Sequence, residues 1–79
     1  MTPFMDQLVT AIRRERLAQR LTLSELARRA DVSKSYLHSL EDGRVQAIGI
    51  ETLVKIAAGL GVTVRALTGE IERAPNRDS

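Results

Sequence analysis

Between Thr22 and Gly43 the chain carries two short apolar periodicities separated by a three-residue break. Leu23, Leu26, Ala27 and Ala30 recur at the spacing of a buried helix face, as do Leu37 and Leu40. Thr22 is followed three residues later by Glu25, the pattern of a capping box. Ser33 caps the second helix, Lys34 to Glu41, and Gly43 stands where a helix C-terminus favours glycine. Asp31 in the break tolerates a left-handed backbone. Two helices joined this tightly restrict their side chains. Leu26 must be buried between them, Ala27 must be small where they cross, and Ala30, Val32, Leu37 and Leu40 must be apolar. All six positions comply, and the stretch reads as a helix-turn-helix.

The rest of the chain supports the same architecture. Residues 5–20 read as a first helix, with Met5, Leu8, Val9, Ile12 and either Arg16 or Leu17 on one face. Thr2 before Pro3 is placed to cap an extra early turn. "RVQAIG" reads as a loop. A fourth helix is expected over Ile50–Gly59, burying Leu53, Ile56, Ala57 and Leu60. Thr63 caps a last helix from Val64 to Leu67 or slightly beyond. "GVTV" is the only β-like run and is too short to pair. The expectation is an all-α fold, with residues 1–70 as one domain and 71–79 as a flexible tail.

Composition narrows the chemistry. With no cysteine and one histidine, disulfides and cysteine-based zinc sites are excluded and a metal centre has little to build on. No phosphate-cradling glycine loop and no evident carboxylate pair is present, so neither catalysis, a cofactor nor a small-molecule ligand is expected. No run approaches the roughly 18 apolar residues of a membrane span, and the first residues lack a signal-peptide pattern. The expected setting is soluble and cytoplasmic.

Charge is unevenly distributed. From Arg13 to Arg44 eight basic residues face five acidic ones, a net +3, whereas residues 45–79 hold four of each. Such a segment suits either a polyanion partner or a solvated arginine-rich surface.

"LTLSELARRADVSKSYLHSLEDGR" followed by "ETLVKIAAGLGVTVRAL" resembles the Cro/phage-repressor (XRE) helix-turn-helix family over about residues 8–69. The resemblance implies a compact five-helix, lambda-repressor-like domain that places helix 3 in the DNA major groove. It also implies a structural ion pair between Arg16 and Glu41. Three positions depart from the family pattern. Leu23 replaces a frequent glutamine, Asp31 replaces the turn glycine, and the loop after Gly43 lacks the usual proline and looks slightly longer.

With Leu37 and Leu40 turned inward, the free face of helix 3 begins with Ser33, Lys34 and Ser35 and continues to Ser39. These four, with His38, are the candidate base-reading residues, although His38 fits a solvent-facing position better. Thr22, Ser24, Arg44 and Gln46 are phosphate candidates. Tyr36 suits either a phosphate contact through its hydroxyl or a place in the core. Arg28 and Arg29 fit surface pairs with Glu25 or Asp31 better than DNA contacts. One such domain reads few base pairs, so a regulator binding a palindromic operator as a homodimer is expected, of repressor or restriction–modification controller type. Val62, Val64, Leu67 and Ile71 are the candidate dimer surface. The alternative is an antitoxin or a protein-interaction module of the same fold.

Overall fold

The computed structural model describes residues 3–73, with side chains as far as residue 69. Five helices follow one another: α1 (Pro3–Ala18), α2 (Leu23–Ala30), α3 (Lys34–Glu41), α4 (Ile50–Leu60) and α5 (Val64–Arg73). No strand occurs among the described residues. The proposed Thr2 cap and the end of the chain past Arg73 lie outside them.

Helix α1 starts and stops two residues earlier than its pattern suggests. Its buried face holds Met5, Leu8, Val9, Ala11 and Ile12, while Leu17 points outward and is 55% exposed. Arg16 is thus the residue that continues the inward face. The helix ends because Arg20 adopts a left-handed backbone (φ 59°), which lets the Leu21 amide donate to the Arg16 carbonyl at 3.0 Å. Arginine in that conformation carries no sequence signature, so a longer helix was the natural expectation.

Helix α2 opens on a complete capping box. The Glu25 amide donates to Thr22 Oγ1 at 3.0 Å, and the Thr22 amide donates to Glu25 Oε1 at 2.8 Å. Asp31 turns the chain with φ 58°, and the Val32 amide closes back onto the Ala27 carbonyl at 3.1 Å. Ser33 then caps α3, its Oγ accepting from the Tyr36 amide at 2.9 Å. Gly43 follows α3 with φ 80°, and the Arg44 amide reaches the Ser39 carbonyl at 2.9 Å. Helix α5 begins with Thr63 Oγ1 accepting from the Ala66 amide and runs to Arg73, well past Leu67.

The core lies where α2 packs on α4 and α3, and α1 packs on α3 and α5. Leu8, Ile12, Leu26, Leu37, Leu40 and Ile56 are fully enclosed there. The tightest approach is between α2 and α4. A Cβ built on Gly59 would stand 2.9 Å from the Ala30 amide nitrogen. Gly59 and the small Ala27 and Ala30 therefore let α2 settle closely onto α4, while α3 packs on α2 and α1.

Candidate nucleic-acid interface

The orientation of α3 is set by what anchors its two ends. At its start, Leu37 is fully buried and Val32 and Tyr36 pack against the core. At its finish, Arg16 reaches across from α1. Its Nε and Nη2 donate to the two carboxylate oxygens of Glu41, each at 2.8 Å, and its Nη1 donates to the Leu21 carbonyl at 2.7 Å. The two side chains are only 11% and 7% exposed. The Glu41 carboxylate holds the Arg16 guanidinium pKa above its ordinary value, chiefly through this hydrogen bond. One arginine thus fixes the end of α1, the α1–α2 connection and the end of α3. The Leu21 contact had no signal in the sequence.

So anchored, α3 presents Lys34, Ser35 and His38 to solvent, with Ser39 half-buried beside them. Its first turn contains no acid. Ser33 is exposed, and its oxygen already accepts one bond from the cap, leaving the hydroxyl hydrogen and a second lone pair for another partner. His38 Nδ1 lies 3.5 Å from Asp42 Oδ2, and Arg44 Nη2 lies 3.8 Å from the same oxygen. Asp42 therefore draws both residues toward the far end of α3. That coupling follows from Gly43, which turns Arg44 back over the helix end.

Tyr36 is half-buried against the core, and burial raises its phenol pKa. Its hydroxyl stays protonated and remains a donor. Thr22 and Ser24 are both exposed at the start of α2. The capping box occupies the Thr22 oxygen and places the Glu25 carboxylate beside it, which leaves Ser24 the better-placed anion contact of the two. Gln46 is exposed in the loop, and the Arg44 side chain is 72% exposed. Lys55, rather than Arg28 or Arg29, lies beside Asp31, at 3.9 Å. No group of three or more His, Cys, Asp or Glu residues converges among the described residues. No helix there is long and apolar enough to cross a membrane.

The candidate dimer residues differ in how far the single chain buries them. Leu67 is 3% exposed within a single chain and belongs to its core, where α5 meets α1 and α4. Val62 and Val64 are half-buried and pack against the same core. Both keep part of their surface in water. The side chain of Ile71 lies outside the described residues. Among the described residues, the large apolar side chains exposed to water are Phe4, Leu17, Ile50 and Val54.

Residues 12–67 match the HTH_3 helix-turn-helix family. The chain belongs to this family. Among relatives of the HTH_3 chain, an immunity repressor protein of Bacillus phage phi105 is 41% identical over 66 residues, covering 84% of this chain and 43% of the repressor. An HTH_3 family transcriptional regulator from Vibrio cholerae superposes with a TM-score of 0.78 at 31% identity, over 85% of this chain and 37% of that one. The N-terminal DNA-binding domain of SinR from Bacillus subtilis gives a TM-score of 0.73 at 33% identity, over 89% and 97% of the two chains. The HTH_3 chain thus spans less than half the length of the phage repressor and of the Vibrio regulator, and nearly the whole of the SinR domain.

Proposed function

We propose that this chain binds double-stranded DNA as a transcriptional regulator, with the start of α3 in the major groove. The observation that carries the reading is the outward face of Lys34, Ser35 and Ser39 on a helix pinned at both ends, with no acid in its first turn. Lys34 can donate to guanine O6 and N7, and the serine hydroxyls can donate or accept. Ser24 and Thr22 on one side and Arg44 and Gln46 on the other serve as phosphate contacts that set the register. The Tyr36 hydroxyl serves as a further donor to phosphate. The phage repressor and the SinR domain support the same role by their own descriptions. A two-fold pair of chains on a palindromic operator supplies the length of sequence that one domain cannot read. The reading places the protein in the cytoplasm, where its DNA is.

Selection of bound duplexes from a random pool tests the proposal. It should return an inverted repeat whose binding weakens steeply with salt. Recovery of no preferred sequence, with no salt-dependent retention of DNA, would remove it.

A further inference from the structure

An open groove of about 650 Å³ runs over the outward face of α1 and reaches Glu41 at the end of α3. Two rows of side chains at four-residue spacing border it, Val9, Arg13 and Leu17 in one and Thr10, Arg14 and Ala18 in the other. Inclined grooves between such rows are what a row of side chains from another helix packs into. Val9 is nearly enclosed, whereas Leu17 and Ala18 are exposed. Two of the polar members are already engaged. The Thr10 hydroxyl donates to the Asp6 carbonyl at 2.8 Å, and both Glu41 oxygens accept from Arg16. Arg13 and Arg14 are exposed and form no ion pair among the described residues. The groove thus joins an apolar lining to two cations that the described chain does not neutralise.

We infer that this groove docks an acidic amphipathic helix of a partner protein. Apolar side chains three or four residues apart would lie against Val9, Leu17 and Ala18, with carboxylates against Arg13 and Arg14. Charge and shape choose among the occupants. A DNA phosphate finds no partner in Val9, Leu17 or Ala18, and the groove opens beside Glu41, about 10 Å along α3 from Lys34. A second copy of the chain would set Arg13 and Arg14 against themselves. A small molecule needs more enclosure than an open groove gives. A helix carrying acids beside apolar residues satisfies both the cations and the lining. Exposed ion pairs contribute little each, so the apolar contacts supply most of the affinity and the arginines select the sign of the partner's charge. The groove uses none of the proposed DNA contacts, so the inference does not rest on the proposed function.

A displayed library of random helical peptides, panned against the immobilised full chain, tests this. Enriched peptides should carry Asp or Glu beside apolar residues at three- and four-residue spacing. Synthesised singly and titrated against the chain, they should lose about tenfold in affinity on Leu17→Ser, and about tenfold on Arg13→Gln with Arg14→Gln. Arg28→Gln with Arg29→Gln makes the same charge change on exposed residues of α2 and should leave their affinity unchanged. All five side chains are exposed, so each variant should keep the wild-type melting temperature, which separates a lost contact from a lost fold. Enrichment of basic or uncharged peptides only would overturn the inference. So would acidic peptides that bind Leu17→Ser as tightly as wild type, or that respond equally to the two arginine pairs. Duplex affinity or self-association of the chain that is lost with Leu17→Ser would also overturn it, by giving the groove to DNA or to a second copy. The duplex selection that tests the proposed function uses none of these variants, so the two readings stand or fall separately.

Discussion

At the scale of single residues, Arg16 and Gly59 hold the most weight. Arg16 satisfies both oxygens of a nearly enclosed carboxylate and a backbone carbonyl at once. Removing it strands Glu41 in the interior, so Arg16→Ala should cost roughly 3–5 kcal/mol in urea denaturation. A variant with unchanged stability and weaker DNA binding would show instead that Arg16 is a phosphate contact. Gly59 poses two opposed effects. Alanine gains about 1 kcal/mol of helix propensity over glycine. Its methyl, however, would press on the Ala30 backbone, which cannot swing aside as a side chain could. Overpacking of this kind costs about 1–3 kcal/mol, so Gly59→Ala should lower the melting temperature. A rise would mean that α2 and α4 separate more easily than their packing implies.

At the scale of elements, the caps explain what could be read in advance and what could not. Thr22, Glu25, Ser33 and Thr63 are residues whose side chains bond the backbone locally, so the starts of α2, α3 and α5 were visible in the sequence. The end of α1 was not, because Arg20 takes a left-handed backbone that its side chain does nothing to favour. Arg20→Gly should therefore stabilise the fold by up to about 1 kcal/mol, the relief of strain less the added chain entropy. A loss of stability in urea would contradict that account. The capping box also makes a pH prediction. The Thr22 amide, and then its hydroxyl, hold the Glu25 carboxyl pKa below its ordinary value. A carboxyl lowered in this way stabilises the fold above its unfolded value, about 4.3, and loses that contribution as pH falls through the lower folded value. The melting-temperature gap between wild type and Glu25→Gln should be widest at neutral pH and close on acidification. A gap that widened toward acid would reverse the sign.

At the scale of the whole molecule, the apolar pattern alone did not separate core from exposed surface. Val62, Val64 and Leu67 read as surplus to a small core, yet the fold uses them to seat α5. Ile50 and Val54, on a helix whose inward face was already complete, are the ones left in water. The outward side of α3 was more legible, because burial of Leu37 and Leu40 determines which of its residues turn to solvent. The central claim is that this face meets base edges, and Lys34 is its only long donor. Binding of wild type and Lys34→Ala should be measured on the selected operator and on random duplexes across a salt series. The account predicts a loss of about 1–3 kcal/mol on the operator, relaxed preference at one base position, and a smaller effect on random DNA. Unchanged affinity of Lys34→Ala for every duplex would take α3 out of the interface and contradict the account.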